Sequence, residues 1–133
     1  MLFRSAVYDA WTKPELLTRW FSPTVDHAVV VHLADLRVGG QYRIEMRHVG
    51  GKSHIAVGEY RELTPPWRLC FTWRWEGSPM ADSLVTLHFR DDARGGTELV
   101  LVHNQFATVA ERANHLEGWT LCLGRFDALW PAS

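Results

Sequence analysis

The sequence has only two cysteines, no long apolar run and almost no net charge, and each shortage argues against a class of protein. Cys70 and Cys122 stand in no CxxC or other metal-ligand spacing, so we expect a reduced, cytoplasmic protein without metal or cofactor. No apolar run approaches the roughly 20 residues of a spanning helix, and the N-terminus lacks a signal-peptide core. The formal net charge of −1 provides no basic field, so we expect neither nucleic acid nor an anionic membrane as partner.

Tryptophan, in contrast, is abundant. The chain has 133 residues, which suits a single domain spanning residues 1–133, and seven of them are tryptophan. An indole combines a large apolar area with one N–H donor that needs a partner. A small domain rich in tryptophan often lines a cavity or an interface with it, although core filling explains any single one equally well.

Helical periodicity occurs at both ends of the chain. Residues 5–21 predict two short helices, with Ser5 capping the first and residues 12–15 forming a capping box for the second. A second capping box at residues 108–111 opens a long helix over residues 108–130. One face of that helix carries an apolar stripe made of His115, Leu116, Trp119, Cys122, Leu123, Phe126, Leu129 and Trp130.

Between these helices the apolar period changes from 3.6 to 2, which predicts about six strands joined by short turns. The predicted strands cover residues 27–37, 41–48, 54–63, 68–75, 83–90 and 97–104. Their alternation gives one apolar face and one solvated face that carries Arg43, Arg47, Arg68, Arg74 and Arg90. The apolar face needs a cover, so we predict an α+β fold in which a curved antiparallel sheet wraps the long C-terminal helix. Such an arrangement leaves a cleft between sheet and helix.

Several stretches together resemble one family. They are AWTKPELLTRWFSP at residues 10–23, DLRVGGQYRIEM at 35–46, GEYRELTPPWRLCFTWRW at 58–75, and HLEGWTLCLGRF at 115–126. This pattern is similar to the activator-of-heat-shock-chaperone-ATPase-like proteins of the START/SRPBCC, or helix-grip, superfamily. The resemblance covers nearly the whole chain and implies the helix-grip fold. It implies little about activity, and a chaperone partner is suggested by the family name alone.

The sequence departs from that family at its start. Members normally begin with a strand, followed by an Ala-Pro dipeptide and the helix that here starts at Val7. The resemblance therefore implies that the first strand is absent, or reduced to residues 1–3, through truncation or a late start. Its loss would uncover backbone groups of strands 27–37 and 97–104, and open edges recruit other strands. We expect a homodimer paired through an open sheet edge, or a monomer if residues 1–4 fold back as a stub strand.

Three residues are candidates for acid–base chemistry in the cleft. His115 lies on the apolar stripe of the long helix, and His103 faces the same side from the last strand, so the two should be neighbours. Glu59 would have a raised pKa if strand register turned it inward instead of Tyr60. For each of them a structural role is the alternative, namely a neutral hydrogen-bonded histidine or a rim ion pair. Zinc usually needs three or four protein ligands, and no third ligand stands at a diagnostic spacing.

The remaining site prediction concerns the walls of the cleft. The candidate ligand-binding residues are Trp11, Trp20, Phe21, Tyr42, Met46, Phe71, Trp73, Trp75, His103, His115, Trp119 and Phe126. As a set they favour a flat or aromatic apolar ligand, which makes a small-molecule-binding domain the leading hypothesis. The alternatives are an enzyme of the cyclase, aromatase or hydrolase kind that uses the cleft histidines, and a protein-interaction module.

Strand alternation and the helical period also predict where the two cysteines and the arginines lie. Cys70 falls on the solvated face of the sheet and Cys122 on the helix stripe, too far apart for a disulfide. An RNA-binding sheet needs aromatic side chains on its basic face, whereas here the aromatic side chains lie on the opposite one.

Overall fold

The computed structural model describes residues 3–79, 81–92, 94–106 and 108–129. They confirm the α+β architecture of a curved antiparallel sheet with a long C-terminal helix. The elements are α1 (Arg4–Thr12), α2 (Pro14–Trp20), β1 (His27–Ala34), β2 (Gln41–His48), β3 (Ser53–Thr64), β4 (Arg68–Trp75), β5 (Ser83–Asp91), β6 (Thr97–Asn104) and α3 (Val109–Leu129).

The strands lie side by side in chain order, from β1 to β6, and every pairing is antiparallel. This meander leaves β1 and β6 as the two edges among the described residues. Residues 1 and 2 of the proposed stub strand lie outside the described part, and Phe3 precedes α1. The homodimer through an open edge therefore stays a prediction.

The alternation predicted for the strands produces the core. Tyr42, Ile44 and Met46 of β2 are buried on the helix-facing side of the sheet. They are joined there by inward residues of β4 and β5, namely Leu69, Phe71, Trp73, Val85, Leu87 and Phe89. On the other side of this layer, α3 contributes Trp119, Cys122 and Phe126. Because both layers are apolar, their contact holds the helix on the sheet.

The outer face of the sheet is less solvated than its polar sequence indicates. Glu45 is 8% exposed and Cys70 is 7% exposed, although both lie on that face. Arg47 and His32 cover the Glu45 carboxylate at 3.0 and 2.7 Å, and their hydrogen bonds hold its pKa at about 2. Cys70 lies against Thr86 on the neighbouring strand. Strands in the middle of a sheet are shielded by neighbours on both sides, which alternation alone does not reveal.

Two of the three predicted helix caps are wrong. Helix α1 begins at Arg4, before Ser5, and helix α2 has Lys13 as its N-cap without a side-chain bond. Thr12 instead donates its hydroxyl to the carbonyl of Tyr8, because it is still part of α1. The third cap is confirmed, since the backbone N–H of Glu111 donates to Thr108 Oγ1 at 3.1 Å.

Element ends also differ in detail from the predictions. Strand β1 stops at Ala34, three residues early, because the chain turns through residues 35–40. Leu116 of the predicted helix stripe is 69% exposed, since it lies at the border of the stripe. The side chain of Leu129 and all of Trp130 lie outside the described residues. No helix in the described part of the chain is both long and apolar enough to cross a bilayer.

Arg125 connects the C-terminal part of α3 to the end of α2 through hydrogen bonds. Its guanidinium donates to the hydroxyl of Ser22, which is completely buried, and to the carbonyl of Thr24 at 3.2 Å. A guanidinium suits this position because it offers several donors to the oxygens that lie together after the end of α2. The C-terminal half of α3 is thereby fixed over the N-terminal helices, and its N-terminal half lies over β4–β6.

Candidate functional site

An open cavity of about 530 Å³ lies between the sheet, the N-terminal half of α3 and two loops. Its size is within the range of pockets that bind drug-sized molecules. It is lined by Phe21, Pro23, His27, Met46, His54, Trp73, Trp75, Glu76, Gly77, Ser78, Asn114, His115, Gly118, Trp119 and Cys122. We call this space the main cavity.

Three indole rings, those of Trp73, Trp75 and Trp119, line the main cavity. Trp73 lies centrally, with its ring centroid 5.2 Å from that of Trp75 and 5.1 Å from that of Trp119. Phe21, at the end of α2, closes the inner side against Trp73 and Trp119. Such closely packed rings present flat, apolar surfaces that favour aromatic ligands.

His103 holds one of these indoles in place from behind. The Trp119 N–H donates to His103 Nδ1 at 2.8 Å, while His103 Nε2 lies 2.7 Å from Ser83 Oγ. Ser83 gives its single proton to the carbonyl of Trp73, so Nε2 must be the protonated ring nitrogen. His103 is therefore a neutral histidine with both nitrogens in use. Burial, together with the nearby His115, lowers its pKa to about 3.

His115 has the complementary arrangement. Its Nδ1–H donates to the carbonyl of Glu111 at 2.7 Å, and its Nε2 accepts the Trp75 N–H at 3.1 Å. The two histidine rings are neighbours, as predicted, with centroids 5.1 Å apart. Since every ring nitrogen already has a partner inside the protein, this geometry supports the structural role of both residues. They orient the indoles of the wall and offer no free nitrogen to a substrate.

The low pKa of His103 makes stability depend on pH, and exchanging His103 for glutamine should reduce that dependence. Below pH 6.5 the unfolded chain binds the proton first, so unfolding becomes easier as the pH falls toward 3. As the pH falls from 6.5 to 4.5, a range above most carboxylate titrations, we expect protonation of His103 in the unfolded chain to lower the free energy of unfolding by about 2 kcal/mol. This value is reduced to allow for the partial exposure of the side chain. Glutamine still accepts from Trp119 and does not titrate. Urea unfolding at several pH values measures the difference, and equal pH dependence in both proteins contradicts it.

Polar groups are concentrated at the mouth of the main cavity. Glu76 is bound through two hydrogen bonds by Arg43, at 2.9 and 2.8 Å, which lowers the pKa of its carboxyl. His27 bonds to Thr24, and burial with the neighbouring His48 lowers its pKa. The ion pair of Glu76 and the reduced proton affinity of His27 keep this mouth polar but close to neutral.

Glu59 does not lie in the cavity. Its carboxylate lies on the outer face, 3.5 Å from Arg61, so of the two alternatives for this residue the structure has the ion pair with an arginine and not the inward carboxylate. Tyr60 is the residue that turns inward, where burial raises its pKa to about 12. It borders a second, minor cavity of about 20 Å³ lined by Trp11, Leu17, Phe21, Tyr42, Ile44, Tyr60 and Phe71.

The predicted wall residues separate into three groups. Six of them line the main cavity, namely Phe21, Met46, Trp73, Trp75, His115 and Trp119. Three others, Trp11, Tyr42 and Phe71, border the minor cavity. Trp20, His103 and Phe126 line neither and belong to the surrounding packing. Phe21 borders both cavities and separates them.

Sequence reasoning missed the residues that come from loops and from the polar rim. Pro23, Gly77 and Ser78 lie in loops without periodicity, so no pattern indicated their direction. Asn114 and Gly118 occupy one side of α3, one turn apart, and only the helical spacing with Cys122 could have identified them. Cys122 itself is a free thiol whose pKa burial raises to about 12, so it is protonated at neutral pH.

The arginines of the outer face all have acidic partners. The pairs are Arg43–Glu76, Arg47–Glu45, Arg68–Glu62, Arg74–Asp82 and Arg90–Glu98. Compensated charges of this kind give the face no strong field of one sign. Within the described residues no group of three or more histidine, cysteine, aspartate or glutamate side chains is arranged to hold a metal ion.

Solved structures share this fold over almost the whole chain. Protein CV1439 from Chromobacterium violaceum is 28% identical, with a TM-score of 0.85 over 99% of this chain and 92% of that one. CalU16 from Micromonospora echinospora is 27% identical, with a TM-score of 0.70 over 96% and 68%. The AHSA1 protein from Silicibacter pomeroyi is 23% identical, with a TM-score of 0.85 over 97% and 90%. No curated protein matches the chain.

The family comparison covers the same extent. The protein-family model described as activator of Hsp90 ATPase homolog 1-like protein matches residues 3–130. These residues include all the elements of the fold and every residue of the main cavity. It agrees with the resemblance indicated by the GEY block and the closing helix. The chain therefore belongs to the family of activator of Hsp90 ATPase homolog 1-like proteins.

Proposed function

We propose that the protein binds a small apolar or aromatic molecule in the main cavity. The observation that carries this proposal is an open cavity of about 530 Å³ whose indole walls are fixed by hydrogen bonds behind them. A fixed wall reduces the side-chain entropy that binding has to remove, and apolar contact then supplies the favourable free energy.

The polar groups at the mouth complement this apolar interior. Glu76, neutralised by Arg43, and the amide of Asn114 offer hydrogen bonds without an uncompensated charge. A ligand with an apolar body and a polar, uncharged end fits this distribution. Buried Cys122 on the wall supports a reducing setting, and we propose the cytoplasm.

The catalytic alternative is less well supported by this geometry. A general acid or base needs a titratable group within hydrogen-bond reach of the substrate. Both candidate histidines use all their ring nitrogens inside the protein, and Glu59 lies outside the cavity. The interaction-module alternative is suggested by the family name, and no contact in the described residues favours it.

Binding of N-phenyl-1-naphthylamine, an uncharged aromatic dye, tests the proposal. We expect the fluorescence of the dye to rise when the protein is added, and the Trp75→Ala variant to bind the dye about tenfold more weakly, because the partly buried Trp75 is the most accessible indole of the wall. Trp67→Ala is the matched control, since Trp67 is 54% exposed in a turn outside the main cavity.

The control also defines the contrary result. Equal losses in the Trp75 and Trp67 variants would show that the dye adheres to exposed indoles. No binding by the unmodified protein at high micromolar dye would refute the proposed function itself.

A further inference from the structure

Gly118 leaves a stretch of bare helix backbone beside the main cavity. It lies near the middle of α3 and lines the cavity, and a Cβ added there would meet no heavy atom within 4 Å. Glycine is a poor helix former, so alanine at this position would strengthen the helix. The missing side chain at Gly118 therefore enlarges the cavity and lowers the stability of the helix.

The distance between helix and sheet is fixed on both sides of Gly118. Three residues before it, His115 accepts the Trp75 N–H at 3.1 Å, and directly after it the Trp119 ring packs 5.1 Å from that of Trp73. Trp119 is also bonded to His103 on β6. Because these contacts hold α3 in place, a side chain at position 118 would occupy the cavity instead of displacing the helix.

We propose that Gly118 sets the thickness of the ligand, so that the cavity selects flat ring systems over globular apolar molecules. One face of the ligand lies on the backbone of α3 at Gly118, and the rest contacts the indole wall of Trp73 and Trp75. This inference rests on the proposed function and narrows it to planar, uncharged aromatic compounds. Their lack of charge follows from the pairing of Glu76 with Arg43 at the mouth.

A pair of glycine variants tests the role of position 118. Gly118→Leu should weaken N-phenyl-1-naphthylamine binding about tenfold or more, because leucine fills the space on the bare backbone. Gly124→Leu is the matched control, since Gly124 lies on the same helix, has equally free space and is exposed away from the cavity. Its affinity should stay within about twofold of the unmodified protein.

Thermal melting shows whether a loss of binding comes from unfolding. Gly118→Ala and Gly124→Ala should both raise the melting temperature by a few degrees, whereas only Gly118→Ala should also weaken binding, by about threefold. Loss of stability together with loss of binding in Gly118→Ala would overturn the inference.

Two competitors with equal numbers of non-hydrogen atoms test the shape preference directly. Flat 2-naphthol should displace the dye at concentrations about tenfold lower than globular 1-adamantanol. Equal displacement by the two, or unchanged dye affinity in a folded Gly118→Leu variant, would refute the role of Gly118 and leave the proposed function intact. If the unmodified protein binds none of these probes, both proposals fail.

Discussion

Gly58→Ala is expected to lower the free energy of unfolding by about 3–5 kcal/mol. An added Cβ would collide with the carbonyl oxygen of Thr72 and lie 2.7 Å from the ring and hydroxyl of Tyr42. The Tyr42 ring crosses Gly58 so that its hydroxyl donates to the Thr72 carbonyl on β4 at 2.5 Å. Displacing this ring would break a buried hydrogen bond and disturb the core at the same time. Urea unfolding measures the loss.

Tyr42→Phe separates the two contributions. It removes only the hydroxyl and should cost about 1–3 kcal/mol, less than the glycine variant. Gly124→Ala controls for a glycine exchange without a collision and should stabilise the protein slightly. A Gly58→Ala protein as stable as its parent would show that the ring has room to move, and would contradict the close approach of the Tyr42 ring to Gly58.

Trp20→Ala is expected to cost about 5 kcal/mol, which is as much as the whole stability of many domains this size. Trp20 is 0% exposed and packs against Trp11, 4.6 Å away between ring centroids, and against Phe126. Its N–H also donates to the carbonyl of Ala10 at 2.9 Å. In a continuous helix that carbonyl would accept from residue 14, but Pro14 has no N–H. Trp20 therefore fills the core and supplies the missing donor.

Trp20→Phe tests the second role alone. It keeps an aromatic ring but leaves the Ala10 carbonyl without that partner, for an expected loss of about 1–3 kcal/mol. Trp67→Ala, at an exposed turn, should cost less than about 1 kcal/mol apart from its contact with Arg4. Chemical denaturation compares the three variants. A Trp20→Ala protein as stable as its parent would mean that the N-terminal helices contribute little to folding.

Predictions from the sequence succeeded where one physical rule dominates. Strict alternation in β2, β4 and β5 identified the inward side chains, because one face of this sheet must be covered by apolar groups. The neighbouring positions of His103 and His115 followed from the same rule together with the helical period of α3. Glycine pairs correctly marked the turns after β1 and β2.

The sequence was less informative where several weak preferences compete. Helices α1 and α2 begin at Arg4 and Pro14 without a side-chain hydrogen bond at either N-cap, so the capping preferences of Ser5 and Thr12 did not predict their first residues. Of the twelve predicted wall residues only half line the main cavity, since alternation gives the face of a residue and not its depth. The hydrogen bonds of His103 depend on atomic distances that no residue spacing encodes.

Five of the seven tryptophans also form a continuous series of neighbouring rings through the core. Ring centroids are separated by 4.6 Å from Trp20 to Trp11, 5.9 Å to Trp119, 5.1 Å to Trp73 and 5.2 Å to Trp75. Excitation energy absorbed by any of these indoles passes readily to the next at such distances. A molecule in the cavity that quenches the fluorescence of Trp75 or Trp73 should therefore also reduce the fluorescence that follows absorption by Trp20, deep in the core.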